Sequence, residues 1–409
     1  MPKTITVVRH AETNANSERR WQGTTDSGIS PVGKGQLDRL AVRFRDRDPG
    51  LFVASDLART QETAAVIGDA RPDPSWREFS IGRWEGLTSD DVMERYPAEY
   101  RAFISGEDVQ PGGGDRMSDF RIRILAAFDR LVDETPDDGH ATVVTHGGAI
   151  WALLSSILEI GRGAAMIPSH NTALTEIVDF GDGRRVIKVF NDASHLESTT
   201  TQFGPEGDLV MFIRHGESEG NIAGRWDGTV DSALTPHGEE QASAAAMVAP
   251  RPSTMFASPQ TRAATTARII GTHHGVVPIV DDRLREMAFG GWDGLTTEQI
   301  KAQFPEDFEA YGRGETDDPV ASSGGESLGA VGERMRSTLT DMSANGHGSP
   351  IVAVSHGAAI RALMLNVLGL TNVGRRFIIV PRNTSMSSIV VSDGNPVVAS
   401  YNVAPHLER

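Results

Sequence analysis

The 409-residue chain contains no cysteine. That excludes disulfides and thiolate chemistry without fixing a compartment. No apolar run reaches the roughly 18 residues that a membrane-spanning helix needs. The few residues ahead of the first strand-like stretch, Met1-Pro2-Lys3, cannot hold the apolar core and cleavage site of a signal peptide, so a cytoplasmic protein is expected. Lysine is scarce: Lys3, Lys34, Lys188 and Lys301 are the only four among 39 basic residues. Codon usage accounts for most of that bias, but guanidinium groups also suit phosphate, which they grip as planar forks. Positive charge is in deficit overall, at a net −16. A nucleic-acid scaffold, which needs a basic face, is thereby excluded. Long-range attraction of anions is disfavoured too. Any phosphate site must be a local concentration of Arg and His.

What is present is present twice. Val7-Val8-Arg9-His10-Ala11-Glu12-Thr13 is echoed by Phe212-Ile213-Arg214-His215-Gly216-Glu217-Ser218. Arg20-Trp21-Gln22-Gly23-Thr24-Thr25-Asp26-Ser27 returns as Arg225-Trp226-Asp227-Gly228-Thr229-Val230-Asp231-Ser232. The endings correspond as well, His195-Leu196-Glu197 with His406-Leu407-Glu408, the second copy being a few residues longer. The spacing predicts one domain over 1–197, a linker over 198–207 rich in Thr, Gly and Pro, and a second domain over 208–409. A copy of this length suits one compact domain.

Within each copy, strand-like and helix-like patterns alternate. Residues 4–8 and 209–213 are short apolar runs of the buried-strand type. Residues 31–44 and 236–247 read as helices. Strands at 141–145 and 351–355 run directly into helices at 148–158 and 358–368. Alternation of this kind predicts an α/β domain with a mainly parallel sheet, whose ligands lie beyond the carboxyl ends of the strands. His10, His146, His215 and His356 all fall at that end.

Phosphoryl transfer through a covalent intermediate needs a nucleophile competent at neutral pH, and an unprotonated imidazole qualifies. It needs cations for the three phosphoryl oxygens, an acid for the leaving alkoxide and backbone donors such as a helix N-terminus. The first half offers Arg9, His10, Asn16, Arg59, Glu78 and His146; the second offers Arg214, His215, Asn221, Arg262, Glu286 and His356, in the same order.

On these residues the chain resembles the histidine phosphatase superfamily, often called phosphoglycerate-mutase-like, once per half. The shared motifs are Arg-His-Ala/Gly-Glu-Thr/Ser at 9–13 and 214–218, and Ser-x-x-x-Arg-x-x-x-Thr at 55–63 and 258–266. They continue with Arg-Glu-x-x-x-Gly-x-Trp-Glu/Asp-Gly at 77–86 and 285–294, and with Thr145-His146-Gly147 and Ser355-His356-Gly357. The resemblance implies an α/β fold with helices on both faces of the sheet. It implies His10 and His215 as phosphorylated nucleophiles and Glu78 and Glu286 as proton donors. Arg9, Arg59 and His146, and likewise Arg214, Arg262 and His356, would clamp the phosphoryl group, with Asn16 and Asn221 adding a donor. It implies no cofactor and no metal, and no clustered ligand spacing suggests one. Single domains of the family often pair, so the duplication could form an internal pseudo-dimer.

The leading expectation is hydrolysis of a small phosphorylated metabolite: a sugar phosphate, a nucleotide or a biosynthetic intermediate. The family's mutases usually carry a longer insertion between the acid and the second histidine, which makes a phosphotransferase the second reading. A third has one half retained as a non-catalytic partner, against which stands the complete set in both. The first half departs from the usual text at Asp56, Asp115-Arg116 and Trp151, where the second has Pro259, Glu326-Ser327 and Arg361. These changes are expected to alter pocket charge or substrate size. Trp21, Trp84, Trp226 and Trp292 are expected to pack the scaffold, Arg19 and Arg225 to face solvent, and Gly112-Gly113-Gly114 and Gly324-Gly325 to turn before a helix. The stretches 87–111 and 295–323 are expected to form lids.

Overall fold

Strand β1 (Lys3–Arg9) contains the first expected strand, and it sits inside its sheet because both of its faces are apolar. Ile5, Val7 and Val8 are each fully buried; since successive strand residues point to opposite faces, both faces of the sheet are covered. The structure is a computed structural model that describes residues 1–161, 165–196, 207–313, 324–344, 346–370 and 377–408. Two compact units emerge: 1–161 with 168–196, and 165–167 with 207–408. Residues 198–206 of the expected linker and 314–323 of the second lid lie outside the described residues.

The first unit is built on β1, β2 (Leu51–Ala54), β3 (Arg71–Pro72), β4 (His140–Thr145), β5 (Leu174–Asp179) and β6 (Arg185–Asp192). Their order is β3-β2-β4-β1-β5-β6. The ladders from β3 to β1 are parallel, and the β5–β6 hairpin is attached antiparallel. Helix α1 (Asn14–Ser17) is a single turn after β1. Helix α2 (Pro31–Phe44) starts where the sequence says it should: the Ser30 hydroxyl accepts the Gly33 N–H, and Pro31 takes the first turn. Its residues Leu40 and Phe44 pack with Ala64 of α3 (Ala58–Ala65) on Val8, Phe52 and Val144. Truncating Leu40 to Ala would cost about 2–5 kcal/mol. Short helices α4 (Ser89–Arg95) and α5 (Pro97–Ile104) occupy the expected lid. Helix α6 (Met117–Glu134) packs on α7 (Gly147–Ile157), which in turn packs on β1.

The second unit repeats this. Strands β7 (Asp208–Arg214), β8 (Thr254–Ala257), β9 (Ile279–Val280), β10 (Ile351–Ser355), β11 (Met386–Ser392) and β12 (Asn395–Val403) are ordered β12-β11-β7-β10-β8-β9. Its helices are α8 (Glu219–Ile222), α9 (Pro236–Val248), α10 (Thr261–His274), α11 (Thr297–Gln303), α12 (Pro305–Arg313), α13 (Leu328–Ala344) and α14 (Gly357–Val367). One core cluster joins Ala245 and Ala246 of α9 and Ala263, Ala267 and Ile270 of α10 to Ile213, Met255 and Val354 of the sheet. Each unit is therefore the expected α/β domain, with one refinement: the sheet ends in an antiparallel hairpin beside the parallel ladder.

Candidate active site

Register brings the two histidines of each unit together. β1 and β4 are parallel neighbours with Arg9 opposite Thr145, so the chains leave the sheet side by side as His10 and His146. Their rings lie 5.2 Å apart, centroid to centroid. In the second unit Arg214 is opposite Ser355, and His215 and His356 lie 5.1 Å apart. The His10 Nδ1 is 2.7 Å from the Ala11 carbonyl oxygen, and the His215 Nδ1 is 2.7 Å from that of Gly216. A carbonyl can only accept, so each Nδ1 carries the proton and each Nε2 keeps its lone pair. Burial, with Arg59 and Arg9 close by, holds His10 well below its ordinary pKa; burial, with Arg214 and Arg262, does the same for His215. Both imidazoles are neutral at pH 7.

His146 and His356 are fixed from the other side. β2 borders β4, so Ser55 follows the sheet edge next to His146, and its Oγ lies 2.8 Å from the His146 Nε2. Ser258 stands at 2.8 Å from the His356 Nε2. The Nδ1 atoms of His146 and His356 are buried without a hydrogen-bond partner among the described residues, as is the Arg59 Nε. Buried polar atoms without a partner are few in folded proteins and each calls for an explanation, of which a bound ligand is one. Arg59, on α3, is anchored by its terminal nitrogens: Nη1 donates to the Thr25 carbonyl and Asp26 Oδ1, both at 2.9 Å, and Nη2 to the Gly23 carbonyl at 2.6 Å. Arg262 is anchored on the Val230 and Asp227 carbonyls at 3.1 and 2.7 Å. Arg9 and Arg214 donate to the carbonyls of Ser169 and Pro381 at 2.5 and 2.7 Å.

Glu78 sits at the N-terminus of α7, where its carboxylate accepts the Gly148 N–H at 2.8 Å and that of Phe79 at 3.1 Å. Glu286 accepts from Ala358, Ala359 and Met287 at 3.1, 2.9 and 2.8 Å. Cations near an empty site would be expected to lower the pKa of such an acid. For Glu78 the net direction is upward: burial outweighs the N–H donors, Arg59 and Arg9. Asn16 and Asn221 spend Oδ1 on the N-cap N–H of their own helical turns, at 3.3 and 3.2 Å. That oxygen also takes the Nδ2–H of Asn171, at 3.3 Å, and of Asn383, at 3.0 Å. Asn171 and Asn383 in turn donate to the His10 and His215 carbonyls at 2.9 and 3.0 Å. Sequence reasoning missed this pair; the recurrence of Asn-Thr at 171–172 and 383–384 was the available signal. Ser55 and Ser258 lay inside a quoted motif without a role.

A family model described as the histidine phosphatase superfamily (branch 1) matches residues 5–193 and again 210–404. The chain belongs to the histidine phosphatase superfamily. Phosphoglycerate mutase-like protein 4 of Arabidopsis thaliana is 33% identical over 204 residues, 48% of this chain and 87% of that protein. The metal-independent phosphoserine phosphatase of the same plant is 29% identical over 214 residues, 50% of this chain and 88% of its own. A solved structure of mycobacterial glucosyl-3-phosphoglycerate phosphatase is 30% identical, with a TM-score of 0.44, covering 48% of this chain and 100% of that one. Each relative corresponds to one half of this tandem phosphatase.

The first phosphatase domain encloses a cavity of about 450 Å³ that reaches Arg9, His10, Asn16 and Glu78. Phe103 and Ile104 of the α5 lid and Trp151 also line it. Trp84 and Trp292 are fully buried scaffold, but Trp21 differs from expectation by lining the cavity. The acidic departures do not charge the pocket. Asp56 forms a two-pronged pair with Arg77, at 2.6 Å for each bond. Asp115 accepts the Ser80 N–H at 2.9 Å beside Arg123, as Glu326 accepts that of Ala288 at 3.0 Å beside Arg334. The triple glycine is a turn: Gly112 has φ 59° and touches the 81–84 backbone so closely that a Cβ would collide with the Ile81 carbonyl. Arg19 is exposed, whereas Arg225 pairs with Asp227 at 3.1 Å. Among the described residues no helix is long and apolar enough to cross a membrane, and no cluster of His, Asp or Glu is placed to hold a metal.

Proposed function

We propose that each half hydrolyses a small-molecule phosphate monoester through a phosphohistidine, in the cytoplasm. The observation that carries this is the pinned Nδ1 of His10 and of His215, which leaves an unprotonated Nε2 in a site holding arginines and a carboxyl group. In the first step His10 Nε2 bonds to phosphorus, and the bond from phosphorus to the ester oxygen breaks. Glu78, whose carboxyl group is shifted by burial toward the protonated form, gives its proton to that oxygen, so a neutral alcohol departs. The transferring group spreads its charge over three oxygens, opposite Arg9, Arg59, the Asn16 amide and the His146 Nδ1. Ser55 matters here: by donating its hydroxyl hydrogen to His146 Nε2 it leaves the proton on Nδ1, facing the phosphoryl oxygens. In the second step the Glu78 carboxylate takes a proton from water, whose oxygen attacks phosphorus. The N–P bond breaks, and inorganic phosphate leaves. His215, Glu286, Arg214, Arg262, Asn221, His356 and Ser258 would repeat these steps in the second half. The boundaries proposed for the two halves are 1–197 and 208–409.

The test is to turn over a 32P-labelled ester, quench in alkali and map the label. Acid-labile phosphate on His10 and His215, with one inorganic phosphate released per alcohol, is the expected result. Label on neither histidine would refute the mechanism. Label returned to an organic hydroxyl in place of water would make the enzyme a mutase.

A further inference from the structure

We propose that the site of the first domain selects monoesters of apolar, ring- or chain-bearing alcohols that carry no second anionic group. The inference rests on the hydrolase reading and names its substrate class. The ionisable side chains that line the cavity, Arg9, His10 and Glu78, are all assigned to the reacting phosphate. Gln22, also on the wall, is occupied: Thr13 Oγ1 donates to its Oε1 at 2.7 Å, and its Nε2 donates to the Thr25 carbonyl at 2.9 Å. What remains for the organic part is Trp21, Phe103, Ile104, Met117 and Trp151. Trp21 has its N–H on Ser89 at 3.2 Å. Ile104, at the mouth, is 56% exposed and so adds an apolar side chain to the entrance.

The second domain is the internal control. Counting from the shared Trp84 and Trp292, the positions of Phe103 and Ile104 hold Tyr311 and Gly312; Gln22 is replaced by Asp227 and Trp151 by Arg361. Arg361 is buried, within Coulombic reach of Tyr311. The second copy thus places two charged groups and a phenol at positions that are neutral, and mostly apolar, in the first. A carboxylate or second phosphate pushed against the first domain's wall would lose its water and gain no cation. A cavity of about 450 Å³ is large enough for a chain or fused ring beyond the phosphate.

The experiment uses the full chain with His215→Ala, so that turnover reports the first domain. It compares n-heptyl phosphate with the same chain ending in a carboxylate, 6-carboxyhexyl phosphate; the leaving oxygens are alike. A preference in kcat/KM of about a hundredfold for the heptyl ester is expected. Trp151→Arg should shrink it by roughly tenfold or more, and Ile104→Lys, at an exposed position, should act in the same direction should the tryptophan variant fold poorly. Label on His10 with equal efficiency for the two esters, or a preference for the carboxylate, overturns the selectivity alone. No turnover of either and no label on His10 overturns the hydrolase reading beneath it.

Discussion

An imidazole tied down at Nδ1 has one lone pair to offer, and the direction of His10's shift ensures that it is available. His10 titrates well below its ordinary value, so protonation removes the nucleophile only in acid. Glu78 is shifted the other way, so the acid it must supply persists above the usual carboxylate range. With His215→Ala isolating the first site, kcat/KM should fall on the acid side as pH drops through the depressed histidine value. On the other side it should fall as pH rises through the raised Glu78 value. Glu78→Gln should abolish that second limb. The same variant should lose roughly a hundredfold to ten-thousandfold on alkyl phosphates and far less on aryl phosphates, whose oxygens leave without a proton. Equal losses on both ester types would remove Glu78 from the role of acid.

At the level of elements, a short loop holds the start of the helix that carries Arg59, the proposed phosphoryl clamp. Asp26 Oδ2 accepts the Ala58 N–H at the start of α3, at 3.1 Å, while Oδ1 takes the Arg59 Nη1 at 2.9 Å. Asp231 repeats the backbone part, accepting the Thr261 N–H at 3.0 Å. Arg59→Lys keeps the charge but cannot reproduce a fork whose terminal nitrogens are held at three points. A charge-assisted interaction of about 1.5–3 kcal/mol is lost, which is a drop in kcat of roughly ten- to two-hundredfold. Asp26→Ala leaves Arg59 in place but loosens it, and should lower kcat less than Arg59→Lys does; steady-state kinetics on the His215→Ala background reads both. Unchanged kcat in Arg59→Lys would exclude the clamp role. This helix also shows what the sequence leaves hidden. Helix α2 was legible because Ser30-Pro31 caps it and Leu40 and Phe44 fall on one apolar face. Helix α3 buries Arg59, Thr60 and Thr63, residues whose polarity erases the periodic signal. The histidines at the strand ends were legible from local text alone. Asn171, bonded to a carbonyl 161 positions away, was not, since only the fold joins them.

On the scale of the whole molecule, buried neutral histidines make stability depend on pH. His10, His146, His215 and His356 are held well below their ordinary values, chiefly by burial. His170 and His195 fall to about 4 for the same reason. A folded value below the unfolded one means that the unfolded chain binds more protons in between. Stability is then complete above about pH 6.5 and drains away as pH falls through that window. Each group contributes up to about 1.4 kcal/mol per pH unit. Glu78 works in the opposite sense, one group against six. The melting temperature should therefore drop from pH 7 to pH 5 in phosphate-free buffer, and a flat profile would show that these imidazoles are not buried neutral.

Duplication raises the last question: whether both halves turn over substrate. Three departures set the first half apart by sequence, two of them involving carboxylates, Asp56 and Asp115. The structure removes those two from the argument, because Asp56 is neutralised by Arg77 and Asp115 takes the structural place of Glu326. Only Trp151 remains, and it lines the cavity wall. The main contacts of the site recur in the other half: the Nδ1 anchor, the serine behind the second histidine, the carboxylate on the helix N-terminus and the asparagine pair. His10→Ala and His215→Ala should then each leave measurable hydrolysis of an aryl phosphate, and the double variant should leave none above background. Alkali-stable, acid-labile phosphate should appear on His215 in the first variant and on His10 in the second. Loss of all turnover in His215→Ala, with no label on His10 from any ester tried, would make the first half a structural or regulatory partner of the second.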